Sequence, residues 1–458
     1  MHSPPDPYRV LIIGKDARTD AIAEACAASP RRPALFALTG TPVPGLLERC
    51  QEVRYASSLS DTESALAVAR ELRPELVIIG PEEPLAAGFA DAFRSLGIAV
   101  FGPSRQLAAI ESSKAWARSL LDRHGIPGNP EYRVFSTPDG LRAYLEDLGD
   151  FVVKPDGLTG GKGVRVFGEH LRSIEEAFEY ACTTLTEYGT VQIEERLDGE
   201  EFSLQTITDG ADVIHCPLVQ DHKRAYEGDS GPNTGGMGSY SCRDHLLPFV
   251  DRDDVTQATA INERVIEALA LETGEPYRGV LYGGFMATRD GVRLIEYNCR
   301  FGDPEALNVL PLLEADLVEL CVAAATGTLA GVEHRWAPQA TVCKYLVPDG
   351  YPETAAAPAR IAVPQELTSS PQLRWFWAAC TLQDGETLLT SSRSGAFVAV
   401  ADSLVEAERI AEDAARELER HNPGAVRHRS DIGTAALLES RVEHMRSLRS
   451  VVRLRVAS

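Results

Sequence analysis

No apolar run in the 458 residues approaches the roughly 18 residues that a membrane-spanning helix needs, so no membrane partner is expected. Patterned cysteine is missing too. The nine cysteines, Cys26, Cys50, Cys182, Cys216, Cys242, Cys299, Cys321, Cys343 and Cys380, contain no pair at zinc-ligand or redox spacing. An odd, dispersed set in a long chain reads as reduced thiols of the cytosol. The opening Met1-His2-Ser3-Pro4-Pro5 has no basic region leading into an apolar stretch, so no signal peptide is expected and the location expected is cytoplasmic. Positive charge is short: 45 Lys and Arg stand against 67 Asp and Glu, a net charge of −22. Nucleic-acid binding needs the opposite field, so no nucleic-acid partner is expected. An anionic ligand would have to be held by local basic groups and a divalent cation. There is no internal repeat and no low-complexity tract. Nothing visible bears on oligomeric state.

What is there suits an ordinary globular protein, 44% hydrophobic and 24% charged. Its length suggests roughly two to four domains. The first hundred residues alternate short apolar strands (9–14, 35–38, 75–80, 98–102) with helical segments (18–28, 61–72). Asp61 is placed to cap the second helix, whose Ala65, Leu66, Ala69 and Leu72 share a face. Continuous apolar strands alternating with helices predict a doubly wound parallel sheet. A helix over 113–126, strands at 151–154, 164–167 and 191–194, and a helix over 173–187 follow. The stretch 221–245 reads as a long irregular loop, the kind that is often functional. A helix over 255–272 precedes strands at 279–287 and 292–297. Past about 335 come strands at 341–346, 375–382 and 396–400 and a helix over 403–420, a separate C-terminal part. His124 and His215 read as structural or surface residues, and Trp375, Phe376 and Trp377 as core.

Chemistry concentrates in three places. Val152-Val153-Lys154 ends a strand, Gly157 to Gly163 is glycine-rich, and Val164 opens another strand. Glycines let backbone N–H groups approach phosphate oxygens, and Lys154 and Lys162 add charge. No helix opens after Lys162, so this is not a Walker loop. A Gly/Lys hairpin turn with no ligand has the same local composition. The strand Gln192 to Leu197 leads into Gly199-Glu200-Glu201, which could serve an adenine edge and ribose hydroxyls, or be solvated acidic residues. In Leu294 to Glu305, period-two alternation puts Glu296 and Asn298 on one strand face, with Arg300 on the same face if the strand continues. Two neighbouring oxygen ligands suit Mg2+, and an arginine suits a carboxylate or a transferring phosphate. An edge strand with a solvated polar face would look alike.

Taken together, these segments resemble the phosphoribosylamine–glycine ligase family of ATP-grasp enzymes over roughly residues 8–350. The matching stretches include Gly80-Pro81-Glu82, Phe101 to Ser104, Ser113-Lys114, Val153 to Gly163, Gly199 to Glu201, Gln220 to Arg224, Gly231 to Gly238 and Glu296 to Glu305. The 231–238 run is the most specific. The resemblance implies an α/β architecture: an N-terminal doubly wound parallel-sheet domain (1–105), central ATP-grasp domains (106–334, lid about 120–192) and a small C-terminal α+β domain (335–458). It implies an ATP-dependent carboxylate–amine ligase working through an acyl phosphate, with small-molecule substrates and Mg2+ or Mn2+. Lys114, Lys154, Gly160, Gly161, Lys162 and Gly163 would hold phosphates. Glu194 and Glu201 would face adenine and ribose. Glu296 and Asn298 would bind the metal. Asp221, Lys223 and Arg300 are the candidate catalytic residues.

One turn departs from the family. Where the family has a glycine-rich turn followed by Arg-Glu-His-Ala, this chain reads Gly14-Lys15-Asp16-Ala17-Arg18-Thr19-Asp20-Ala21. Asp16 would repel a phosphate, and Ala17 would hinder any positive-φ backbone. Either the turn has drifted with the reaction intact, Lys15 supplying the contact, or the amine substrate differs. A nucleotide-binding protein without catalysis would have lost metal or lysine groups, and these are all present.

Overall fold

The computed structural model describes residues 7–158, 163–354 and 359–455. The first sheet is built from β1 (Arg9–Ile13), β2 (Ala34–Thr39), β3 (Glu52–Tyr55), β4 (Leu76–Ile79) and β5 (Ala99–Phe101), in the order β3-β2-β1-β4-β5. All pairings are parallel. Strands β2 and β4 are buried at every residue, which is why their sequences are unbroken apolar runs. Asp61 caps the helix Thr62–Leu72 by accepting from the Ser64 amide.

A four-stranded antiparallel sheet follows, β6 (Tyr132–Phe135), β7 (Phe151–Pro155), β8 (Arg165–Val166) and β9 (Val191–Glu195), in the order β6-β9-β7-β8. With the helices Leu141–Leu148 and Ile174–Tyr188 it encloses its own apolar cluster around Phe151, Val153, Leu145 and Ile193, separate from the main core. The central sheet contains β10 (Gly199–Thr208) and β11 (Val213–His215).

The expected loop at 221–245 instead carries four short strands: β12 (Gln220–Asp221), a hairpin of β13 (Arg224–Tyr226) and β14 (Ser230–Asn233), and β15 (Gly238–Ser241). Its Gly and Asp content serves turns, as at Gly228 and Asp229, both at positive φ. Strands β16 (Gly279–Thr288) and β17 (Gly291–Asn298) complete the central sheet, ordered β11-β10-β16-β17. Strand β17 ends at Asn298, so Arg300 reaches the cleft from the following turn and not as a continuation of the strand face.

The last sheet contains β18 (Ala340–Pro348), β19 (Leu373–Trp377), β22 (Gly395–Ala401) and β23 (Val426–Arg427), while β20 (Cys380–Gln383) and β21 (Glu386–Leu389) form a separate hairpin. The expected single strand 375–382 is thus two. In the sheet order β12-β15-β18-β22-β19, two strands from the glycine-rich 220–241 stretch join three from the C-terminal part. Trp375, Phe376 and Trp377 are core, as expected. The closing helix Ala435–Arg455 had no counterpart in the sequence reading; its apolar residues alternate with charge too irregularly to mark one face.

Candidate active site

Two adjoining cavities of about 220 and 390 Å³ run between the lid sheet β6–β9 and the central sheet. Lys114, Asp221, Lys223, Asn233 and Glu296 line both. They form one cleft with two chemically distinct ends.

The larger cavity is the Lys154 end, where Lys114, Lys154, Arg196, Lys223, Arg224 and Arg441 stand among an even larger number of carboxylates. Lys154 leaves β7 and Glu194 leaves the neighbouring β9; Lys154 pairs with Gln192 and Glu194 with Val152, so the two side chains are diagonal neighbours on one face. Lys154 Nζ lies 2.5 Å from Glu194 Oε2, and Arg118 Nε donates to Glu194 Oε1 at 2.8 Å. Burial alone would raise the Glu194 carboxyl; Arg118 and then Lys154 outweigh it and hold it at about 2. Burial pushes the Lys154 ammonium below its ordinary range, with Glu194 opposing. Arg118 Nη2 also donates to the Ile295 carbonyl at 2.8 Å, so it ties the lid sheet to β17 one residue before Glu296. At the start of the glycine loop, Lys114 Nζ donates to Gly157 O at 2.9 Å and Ser113 Oγ to Asp156 at 3.1 Å. Tyr180 OH donates to Gly163 O at 2.8 Å at the loop's far end. Gly160, Gly161 and Lys162 lie outside the described residues. Glu201 on β10 lines the same cavity, its carboxylate 3.3 Å from Lys223 Nζ. Glu201 is also the first cause of the Lys223 ammonium lying well above its usual range.

Glu296 stands where the two ends meet. Burial would raise its carboxyl, but Lys223, Lys114, Lys154 and Arg300 together hold it below the usual range, so it is ionised at neutral pH. Asn298 Oδ1 accepts from Arg300 Nη2 at 2.9 Å. Among the described residues no group of three or more His, Cys, Asp or Glu is arranged around a metal position. An ionised carboxylate and an amide oxygen two residues apart are a fitting partial shell for a hard cation that takes its remaining ligands from phosphates and water.

The smaller cavity is the acidic end. Glu82, Glu111, Asp303 and Glu305 line it together with Arg300. Arg300 lies 3.0 Å from Glu111 and 3.3 Å from Glu82, which hold its guanidinium protonated against burial. Burial raises the Glu111 carboxyl. Asp221 Oδ1 has no hydrogen-bond partner among the described residues, and burial followed by Glu305 pushes its carboxyl well up. Tyr282 OH donates to Glu305 at 2.8 Å. Asp303 accepts from Tyr345 and lies 3.2 Å from Arg393. Arg118, Glu82, Glu111, Tyr282, Asp303 and Glu305 were not singled out for roles in the sequence. Glu82 and the Asp303–Glu305 run lay inside matched stretches and could have been found there. Arg118 carries no local signal.

Gly236 shows how tightly the acidic end is packed. It has φ +106°, and a Cβ on it would come 2.6 Å from Asp221 Oδ1 and 2.7 Å from Pro304 Cδ. Gly236→Ala is expected to shift Asp221 and cost about 1–3 kcal/mol of stability through strain, together with a loss of turnover. Urea unfolding and steady-state kinetics check this; an unchanged variant would remove the close approach from the account.

The departing turn is also well defined. Gly14 carries the one positive φ in it, and Ala17 begins a regular helix, so the expected hindrance at Ala17 does not arise. Asp16 caps that helix: it accepts from Thr19 N at 2.9 Å and Thr19 Oγ1 at 2.6 Å, and pairs with Arg18. Burial would raise it, but Arg18 and Thr19 hold it at about 2. Arg18 Nη1 donates to Phe301 O at 2.7 Å, joining the turn to the segment that carries Arg300. Asp20 points away, accepting from Trp377 N at 2.8 Å beside Arg49.

Comparison with known proteins accounts for this arrangement. The phosphoribosylglycinamide synthetase family matches in three parts: its N domain over residues 8–111, its ATP-grasp (A) domain over 112–306 and its C domain over 341–435. The phosphoribosylamine–glycine ligase of Methanocella arvoryzae is 44% identical over 441 residues, covering 96% of this chain and 100% of its own length. That of Methanopyrus kandleri is 45% identical over 449 residues, covering 96% and 99%. The crystal structure of the Thermotoga maritima phosphoribosylamine–glycine ligase superposes with a TM-score of 0.74 at 27% identity, covering 93% of this chain and 100% of that one. Biotin carboxylase from Campylobacter jejuni shares the fold alone, with a TM-score of 0.71 at 14% identity over 94% and 95%. The chain belongs to the phosphoribosylglycinamide synthetase family and is an ATP-grasp ligase.

Proposed function

We propose that the protein joins glycine to 5-phosphoribosylamine to give glycinamide ribonucleotide, with ATP converted to ADP and phosphate, in the cytoplasm. The relatives' names supply the substrate pair. The observation that carries the chemistry is the single cleft with Lys154 and Glu194 at one end, Arg300 among carboxylates at the other, and Glu296 between them. ATP lies at the Lys154 end, its phosphates against Lys114 and Lys154, and its adenine and ribose toward Glu194 and Glu201. The glycine carboxylate pairs with Arg300, and its oxygen attacks the γ-phosphorus while ADP leaves. The resulting acyl phosphate is a far better electrophile than the carboxylate. The amine nitrogen then attacks the carbonyl carbon, inorganic phosphate departs, and the nitrogen's proton passes to a base. Asp221, whose Oδ1 has no hydrogen-bond partner among the described residues, is the base for that proton once ionised, its burial-raised carboxyl holding the proton firmly, and Lys223 stabilises the oxygens of the transferring group. Glu296 and Asn298 would hold Mg2+ or Mn2+, whose charge neutralises phosphate oxygens during transfer. Positioning and charge do the catalytic work, and no enzyme nucleophile is needed. The division into parts near residues 105 and 335 belongs to the same reading, with 120–192 closing over the nucleotide.

Incubation with ATP, Mg2+, glycine and freshly generated phosphoribosylamine tests the proposal by mass spectrometry. Product that requires every component is expected. The capped turn favours a second reading: Asp16 already occupies the helix N-terminus that a phosphate would use. ADP release with glycine but no coupling to phosphoribosylamine, and coupling to an amine without a phosphate, would support that reading instead.

A further inference from the structure

The helix Ala435–Arg455 begins where the family's C-domain match ends. It turns away from the C-terminal sheet and packs on β10 and β16 of the central sheet. Arg441, His444, Met445 and Arg449 follow the three- and four-residue spacing that shares one helix face. Met445 is buried there. Near the cleft, Arg441 Nε lies 3.3 Å from Glu200 Oε2, and Arg441 Nη2 pairs with Asp229. His444 Nδ1 reaches the other Glu200 oxygen at 2.7 Å. Away from the cleft, Arg449 lies 2.7 Å from Asp251 and 2.8 Å from Asp254. The helix is therefore fastened at two places, only one of which touches the site. Arg441 lines the larger cavity beside Glu200 and Asp229; Arg449 does not.

What Arg441 grips matters for the site. Glu200 directly precedes Glu201. Asp229 sits in the turn of the β13–β14 hairpin, at positive φ. Lys223 and Asn233 stand at the two feet of that hairpin and line both cavities. We propose that Arg441 is a positioning residue for the nucleotide end of the cleft: by holding Glu200 and Asp229 together it sets the spacing between Glu201 and the Lys223–Asn233 feet. The proposal rests on the assignment of that end to ATP. A helix serving stability alone would act equally through Arg441 and Arg449.

Kinetics of Arg441→Gln, Arg441→Lys and Arg449→Gln in the full chain separate the two roles. Losing one charge-assisted contact to each of two carboxylates should raise KM for ATP about tenfold in Arg441→Gln, with kcat within about threefold of wild type. Arg441→Lys should recover most of the loss. Arg449→Gln should lower Tm and leave KM for ATP unchanged. The proposal is overturned by an unchanged KM for ATP in Arg441→Gln, or by Arg441→Gln and Arg449→Gln moving the same parameters alike. Direct MgATP titration of the wild type supplies the separate control: a wild type that binds no MgATP overturns the nucleotide assignment and the proposal with it.

Discussion

Glu296→Ala is expected to lower ATP turnover about a thousandfold while the protein stays folded. The four cationic groups Lys223, Lys114, Lys154 and Arg300 all act on this carboxylate, and it is the ionised carboxylate at the junction of the two cavities, proposed above as a metal ligand. Its loss removes the anchor for the cation that neutralises the transferring phosphate. The fold should survive because the nearby cations keep other partners: Lys223 has Glu201, Lys154 has Glu194 and Arg300 has Glu111. ADP release and far-UV circular dichroism check both halves. Undiminished turnover would remove Glu296 from the metal role.

The second large effect is on stability. Arg118→Met should destabilise the protein by about 3–5 kcal/mol, the range for breaking a buried ion pair by removing one partner. Arg118 is 3% exposed, and its loss leaves the buried Glu194 with Lys154 as its one remaining cation among the described residues and the Ile295 carbonyl without this donor. The lid sheet would also lose a link to β17, so ATP affinity should fall with stability. The pH dependence has a definite sign. Glu194 is held at about 2, below its ordinary 4.5. The unfolded chain therefore binds more protons between those values, and this group's contribution to stability is present above pH ~4.5 and lost as pH falls toward ~2. In Arg118→Met part of that acid-side slope should disappear. Urea unfolding at several pH values measures it; a variant as stable as wild type would show that Arg118 holds nothing.

Much of this was legible in the sequence because the signals were local. The apolar runs at 9–14 and 75–80 became buried parallel strands since both faces of that sheet are covered. Glu296 and Asn298 fell into one cleft because a strand period is two. The 221–245 stretch misled because its glycines, aspartates and asparagines encode turns, while its last short strand, β15, is held by pairing with β18, about a hundred residues on. Arg118 and Arg441 could not be read: each acts through partners distant in sequence, such as Glu194 and Ile295 or Glu200 and Asp229. The 14–21 turn was half legible. The unusual Asp16 was visible, but its capping role depends on Thr19 and Arg18 adopting the helix that it starts.

The central claim is that the glycine carboxylate is activated by phosphoryl transfer at this cleft. Turnover of glycine labelled with oxygen-18 in its carboxylate, with phosphoribosylamine, ATP and Mg2+, tests it most directly. An acyl phosphate hands one carboxylate oxygen to phosphorus, so the phosphate released should carry one labelled oxygen for each amide formed. Amide formed with unlabelled phosphate would contradict the account.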